Sequence, residues 1–348
     1  MRHQIRDMAK IFEGKTILLV NENKNLGNIF RKALSEEGFL VSEFHSVPFP
    51  EYKKDFGKKI QNLFSLKIKK DKGFYKRDSA KLKVQFNLKL AERLRSNYDY
   101  VLVFRADFYP DSVLEILREK TRNLICYQYD GKKVWEQKLN SLKRFDKVFV
   151  FDSDDFFPNS GINFQPVTNC WFPDEISADD NRNDIFYVGV GVPDRLKKIE
   201  ILKNYCIENN IRLKAFLTIA DYFEEKSEKG VSLVHQGLTY EENIAEVQVS
   251  KALLDFKLEY HKGLSFRFFE AMNFRKKIIT NNVSAKDYDF YHPDNIFVTD
   301  YENLDGLKDF LEKPYHEIPE KIKEKYGFGN WIRYVLDSGH FQKIELPD

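Results

Sequence analysis

The sequence predicts an α/β protein built from two doubly wound parallel sheets. Three observations carry that expectation. Short continuous apolar runs end in polar residues, as strands buried on both faces do. Segments with apolar residues at helical spacing separate those runs. A polar, proline-containing stretch, residues 165–184, divides the 348 residues into two such series, each of ordinary domain size.

The first series opens on Thr16–Val20, an apolar run stopped by Asn21, Glu22 and Asn23. Leu26–Glu37 has helical spacing and stops at Gly38. Phe39–Phe44 reads as the second strand. Residues 46–80 mix periodicities and read as a loop or lid, with a short helix near 55–66. A helix over Lys81–Ser96 follows, then the strand Tyr100–Phe104 and the capped helix Asp111–Lys120. The strand Leu124–Gln128, a helix over Trp135–Phe145 and the strand Lys147–Phe151 complete the series.

Three of these strands run into acids: Asp107, Asp130 and Asp152. Ligands of open α/β sheets bind at the carboxyl ends of strands, so any of the three could serve as general base on a hydroxyl. An Asp after a strand is also a common turn or cap residue. The opening imitates a two-component receiver domain. That fold needs an acidic pair after the first strand, where Asn21 and Glu22 stand, and an Asp ending the third, where Phe104 and Arg105 stand. The receiver reading is rejected.

The second series starts at Ile185–Val190 and passes through Gly189-x-Gly191-x-Pro193-Asp194-Arg195 into a helix over 194–208. A lone Gly-x-Gly is a weak phosphate signal; an Arg just beyond it can grip phosphate oxygens through two N–H bonds. Strands at Leu213–Thr218 and Val231–His235 follow; His235 could touch a base or a phosphate. A helix over Tyr240–Val249 and a strand over Ala252–Phe256 lead to the stretch that organises the chain. There Gly263 allows close approach, Ser265 is an N-cap, Phe266–Asn273 is helical, and Lys276–Thr280 is a short strand. A glycine loop opening on a helix N-terminus suits a phosphate or diphosphate. Glu270, one to two turns in, could accept hydrogen bonds from sugar hydroxyls. The plainer alternative is an ordinary capped helix with Glu270 on its solvated face. A strand lies within 288–300, and helices near 302–312, 316–325 and 329–337 end the chain.

The segment Gly263-Leu264-Ser265-x-Arg267-x-x-Glu270-Ala271, followed by Lys276-Lys277-Ile278-Ile279-Thr280-Asn281-Asn282, resembles the nucleotide-sugar-binding segment of GT-B glycosyltransferases. The likeness is to CgeB-like and group 1 surface-polysaccharide transferases of bacteria. Tyr129-Asp130-Gly131-x-x-x-Trp135 resembles their cleft-facing Asp segment, and the helix with Trp331 resembles their last helix, which crosses back to the first domain. The resemblance implies the GT-B fold: two Rossmann-like doubly wound domains with a cleft between them. It implies an acceptor domain at 1–172, a nucleotide-sugar domain at 173–325 and a returning helix at 326–348.

By the same resemblance, Gly263, Leu264 and Ser265 face the donor diphosphate and Glu270 holds the ribose, with Gly189, Gly191 and Arg195 beside them; His235 joins the candidate donor site on its position at the end of a strand alone. Asp130 is the first candidate base and Asp107 the second. Such enzymes need no catalytic metal, and no cofactor is expected beyond the nucleotide-sugar substrate. Many retaining members carry a second Glu eight positions before the first; here that position is Lys262. The implied activity is sugar transfer to a lipopolysaccharide or capsule glycan. A non-catalytic nucleotide-binding protein and a GT-B-type sugar-nucleotide epimerase are the alternatives.

The net charge of +2 gives no global field for nucleic acid. Residues 53–95 nevertheless hold fifteen Lys/Arg and four Asp/Glu. That segment is either a solvated face or a patch for an anionic acceptor or membrane surface. Three widely spaced cysteines give neither a disulfide framework nor metal spacing. No run is long enough to span a membrane and no secretory signal opens the sequence, so a cytoplasmic protein, with possible peripheral contact at the inner membrane face, is expected.

Overall fold

The computed structural model describes residues 11–45, 58–62, 65, 74–174, 181–257 and 261–347. Most of the loop or helix expected between 46 and 73, including Lys67, Lys69, Lys70 and Lys72, lies outside them.

The first sheet comprises β1 (Thr16–Val20), β2 (Leu40–Phe44), β3 (Tyr100–Phe104), β4 (Leu124–Gln128), β5 (Lys147–Val150) and β6 (Phe164–Pro166), in the order β2-β1-β3-β4-β5-β6. All its pairings are parallel. Alternate residues serve opposite faces. Ile17, Leu19, Leu102, Phe104 and Phe149 pack with Phe30 of the Lys24–Glu36 helix. Leu18, Val20, Val101 and Val103 pack with Val113, Leu114 and Leu117 of the Asp111–Glu119 helix. Burial on both faces explains why these strands are apolar throughout.

The second sheet comprises β7 (Asn183–Val190), β8 (Leu213–Thr218), β9 (Lys226–Glu228), β10 (Val231–Val234), β11 (Ser250–Asp255), β12 (Lys277–Thr280) and β13 (Ile296–Val298). Its order is β13-β12-β11-β7-β8-β10-β9, parallel except that β9 runs antiparallel to β10. That exposed hairpin edge corrects the all-parallel expectation; Lys226, Ser227 and Glu228 carry no apolar run to announce a strand. β6, three half-buried residues at the other sheet's edge, is also absent from the sequence reading.

Two helices differ from their sequence pattern. The expected helix at Lys81–Ser96 occupies Phe74–Glu92. The expected Trp135–Phe145 helix is three short turns, Lys132–Trp135, Glu136–Lys138 and Leu139–Leu142. Trp135 is wholly buried and its indole N–H donates to the Asp130 carbonyl at 2.7 Å. Anchoring that large ring takes precedence over a regular helix axis.

The two sheets are joined through shared packing. Trp331, on the Phe328–Leu336 helix, is fully buried, meets Tyr127 and Phe30 edge-on, and donates to the Thr168 carbonyl at 2.9 Å. Burial of such a ring stabilises by roughly 2–3 kcal/mol. Asn169 donates to the Leu264 carbonyl at 2.8 Å, and Asn273 to the Phe172 carbonyl at 2.9 Å.

Candidate active site

Each sheet reverses direction once: the first between β1 and β3, the second between β7 and β11. A crevice opens at the carboxyl ends of the strands at such switch points. The β5 and β11 ends of the two sheets meet. Phe151 and Asp152 follow β5; Lys262 and Gly263 belong to the loop after β11. Asp152 accepts the backbone N–H of Lys262 and, at 3.3 Å, that of Gly263. A side chain at Gly263 has no room, because a Cβ there would lie 2.4 Å from Phe151 Cδ2 and 2.4 Å from its carbonyl oxygen. The glycine therefore serves close approach between the two halves. Its N–H, one of those assigned to the donor diphosphate, is directed at Asp152.

On the first sheet, Asp107 and Asp130 are brought together by Arg105, the residue directly after β3. Arg105 donates from Nε and Nη2 to the two oxygens of Asp107, at 2.8 and 2.7 Å, and from Nη1 to Asp130. The Phe108 ring lies 4.3 Å from the guanidinium carbon. Arg105 has φ 54 and ψ 71, left-handed backbone in a non-glycine residue. Such strain persists only where the surroundings over-determine it, here two carboxylates and a ring. Both Asp107 oxygens are thus engaged. Asp130 commits Oδ2 and keeps 30% of its side chain exposed. In sequence, Arg105 stands out only as a residue that a receiver domain would not carry at the end of its third strand. The overlooked signal is an Arg directly after a buried strand with an Asp two positions on.

Asp155 is a further acid that sequence reasoning missed. It is 1% exposed, accepts the Lys132 N–H at 2.8 Å through Oδ1, and meets no partner through Oδ2 among the described residues. Burial pushes its carboxyl up to about 7, against the opposing Lys132 hydrogen bond.

On the second sheet, Asp255 ends β11 and organises the loop. It accepts Ser265 Oγ at 2.6 Å and Thr280 Oγ1 at 2.8 Å. Ser265 occupies the N-cap position of the Phe266–Phe274 helix, but its hydroxyl turns to Asp255 and caps no helix N–H. Leu264 is buried. Glu270 is half-buried rather than on a solvated face. Burial raises its carboxyl above the usual range, opposed by the Arg267 charge and a hydrogen bond from Asn243. Arg267 donates to the Val188 carbonyl and lies 4.9 Å from the centre of the Tyr187 ring. The helix carrying Glu270 is therefore tied to β7.

The other donor-site candidates are spread along the same strand ends. Gly189 lies in β7, where a Cβ would stand 2.3 Å from Tyr187 Oη. Gly191 donates its N–H to the Thr218 carbonyl at 2.9 Å. Arg195 donates from Nη1 to the Val190 carbonyl at 3.4 Å, while its buried Nε meets no acceptor among the described residues. Lys198 is paired with Asp194 at 2.7 Å. His235 follows β10, two strands from β7, and is exposed; its Nε2 lies 2.7 Å from the Phe223 carbonyl oxygen. Lys262 pairs with Asp154 at 2.9 Å. A cavity of about 1050 Å³ runs between the Lys24–Glu36 and Tyr240–Gln248 helices, with Asn25, Asn28, Phe172 and Tyr240 in its wall. Among the described residues no group of three or more His, Cys, Asp or Glu could hold a metal ion, and no helix is long and apolar enough to cross a membrane.

No family model matches the chain. No curated protein matches it either. Solved structures do. The N-terminal domain of trehalose-6-phosphate phosphatase from Candida albicans superposes with a TM-score of 0.51 at 10% identity, over 93% of this chain and 97% of that one. A glycosyltransferase from Rickettsia africae gives 0.46 at 12% identity, over 93% and 97% of the two chains. The glycotransferase of kitacinnamycin gives 0.43 at 9% identity, over 87% and 92%. Likeness at this level shows the fold alone: two Rossmann-like doubly wound domains whose strand ends meet at the β5–β11 seam.

Proposed function

We propose that this protein is a nucleotide-sugar-dependent glycosyltransferase acting on a glycan or glycolipid acceptor of the lipopolysaccharide or capsule kind. The observation that carries the reading is the placement of the Gly263–Glu270 segment. It joins the carboxyl end of β11 at the switch point to a helix whose Glu270 is half-buried and hydrogen-bonded by Asn243. The sequence resemblance assigns that segment to the donor, and the GT-B fold supplies a cleft for it.

In this reading residues 173–325 hold the donor. Glu270 takes the ribose hydroxyls; Leu264, Ser265, Gly189, Gly191 and Arg195 surround the diphosphate, with His235 towards the base. Arg195 and the first turn of the Phe266–Phe274 helix offset charge on the departing diphosphate. Residues 1–172 hold the acceptor, the 326–348 segment couples the two, and Asp130 takes the proton from the attacking hydroxyl. Asp107 holds Arg105, and through it the position of Asp130. The basic 53–95 segment meets an anionic acceptor or the inner membrane surface.

One observation favours a second reading. Both candidate bases already accept guanidinium N–H groups from Arg105, as in a protein that binds a nucleotide without turning it over. A thermal-shift screen against UDP, GDP, CMP and dTDP and their sugars tests the donor site, since saturating ligand stabilises the folded state. Transfer or donor hydrolysis that is lost in Asp130→Asn, with the nucleotide-induced shift retained, supports the enzyme. A shift without turnover supports the binding protein. No shift with any nucleotide defeats both.

A further inference from the structure

The turn that follows β5 holds two loops at once. Asp152 caps the short 3-10 turn Ser153–Asp155, accepting the Asp154 N–H at 2.9 Å. On one side, Asp152 accepts the N–H groups of Lys262 and Gly263, and the Asp154 carboxylate meets the Lys262 ammonium at 2.9 Å. Those contacts fix the loop after β11. On the other side, Asp155 Oδ1 accepts the Lys132 N–H at 2.8 Å, and the Lys132 ammonium donates to the Asp154 carbonyl. Those contacts fix the loop after β4, which carries Asp130.

Asp130 is therefore anchored from several directions. Its carboxylate accepts from Arg105 at the end of β3, and its carbonyl accepts the Trp135 indole N–H at 2.7 Å. Neither bond relates it to the second sheet. The bonds from the 152–155 turn do, because the same turn grips Lys262 and Gly263.

Burying a carboxyl costs free energy unless its oxygens find partners. Asp155 is 1% exposed, and the Lys132 N–H is the one hydrogen bond its side chain makes among the described residues. A carboxyl so placed contributes poorly to folding. What it supplies is a fixed acceptor for the Asp130 loop.

We propose that Asp155 is a positioning residue, whose hydrogen bond to the Lys132 N–H sets Asp130 at the distance from the Gly263 loop that sugar transfer requires. The inference rests on the transferase reading and on Asp130 as its base. Asp155 is buried and acts through the loop. A base displaced by about 1 Å can cost roughly a hundredfold in rate.

The test uses the full chain and whichever UDP, GDP, CMP or dTDP sugar raises its melting temperature, with turnover read as released nucleotide. Asp155→Ala should lower kcat roughly 10- to 100-fold while the donor KM changes less than about threefold. Asp155→Asn keeps a carbonyl acceptor and should recover most of the rate. Should Asp155→Ala fail to fold, Lys132 carries the test. It is the first residue of its short helix, where proline is tolerated. Gly131 before it has φ −65 and ψ 152, backbone that a following proline accepts. Lys132→Pro removes both the N–H and the ammonium, whereas Lys132→Ala removes the ammonium alone. The proline variant should be slower than the alanine variant by roughly tenfold or more.

Equal rates in the two Lys132 variants, or a wild-type rate in Asp155→Ala, overturn the positioning role and leave the transferase reading standing. So does a loss that Asp155→Asn shares in full or that falls mainly on KM. Absence of turnover by the wild type with every one of these sugars removes the reaction, and the positioning role with it.

Discussion

Asp152 Oδ2 accepts the backbone N–H of Gly263 at 3.3 Å, joining the end of β5 to the loop after β11. The same carboxylate accepts the Lys262 N–H, and its Oδ1 accepts the Asp154 N–H at 2.9 Å. Three backbone donors at the seam between the two sheets thus converge on one side chain that is 2% exposed. Replacing Asp152 by Ala strands them, and each unsatisfied buried donor costs about 1–3 kcal/mol. Urea denaturation should show Asp152→Ala destabilised by roughly 2–4 kcal/mol, and Asp152→Asn, which keeps one carbonyl acceptor, by clearly less. A loss no larger than for an exposed Asp would mean that the seam is open in solution.

Gly263→Ala tests the same seam sterically. The added methyl would meet Phe151 at 2.4 Å on both its ring and its carbonyl. The expected loss is about 1–3 kcal/mol, as for other overpacked sites. Truncating the ring as well, in Phe151→Ala with Gly263→Ala, should recover only part of it, since the carbonyl stays in place. Full recovery in a double-mutant cycle would show that the ring alone forbids a side chain there.

Asp155 sets a pH dependence. Its folded-state carboxyl titrates at about 7, against 3.8 ordinarily. Between those values the folded chain holds a proton that the unfolded chain has released, so stability falls as pH rises through this window. Asp155→Asn removes that dependence while keeping an acceptor for the Lys132 N–H. Relative to wild type, the variant should gain stability steadily between pH 4 and pH 8, by up to about 4 kcal/mol. Melting curves across that range check it; a constant difference between the two proteins would place the Asp155 titration elsewhere.

Glu270→Ala should weaken binding of the nucleotide identified by thermal shift by roughly 1.5–3 kcal/mol, through loss of a charged hydrogen bond to a hydroxyl. Glu270→Gln, which still fills the space beside Asn243, should weaken it less. Titration of both variants decides this, and unchanged affinity in Glu270→Ala would remove the residue from the site.

The chain's own pattern determined the architecture of two doubly wound α/β sheets. Runs such as Thr16–Val20 and Tyr100–Phe104 are strands within a residue of where their apolar residues begin and end. Strands buried on both faces leave a mark in sequence because each of their residues must be apolar. The turns around Gly38 and Gly263 are legible for a similar local reason. Edge strands β6 and β9 carry no such mark, since few of their residues face a core. The broken helix at 132–142 is hidden because one tryptophan's anchoring outweighs the local periodicity.

What Asp130, Asp152 and Asp155 do was decided by tertiary structure. Asp107, Asp130 and Asp152 look alike in sequence, each a carboxylate just beyond a strand. In the fold, Asp107 is engaged by Arg105 through both oxygens, Asp130 through one, and Asp152 reaches across to Gly263. Asp155, with nothing to distinguish it in sequence, is the one that burial raises to about 7. A carboxylate's role depends on which donors surround it and how much water is excluded. For Asp130, Asp152 and Asp155 the deciding donors come from chain segments 20 to more than 100 residues away, which no local pattern records, whereas Asp107 is held by Arg105 two residues before it.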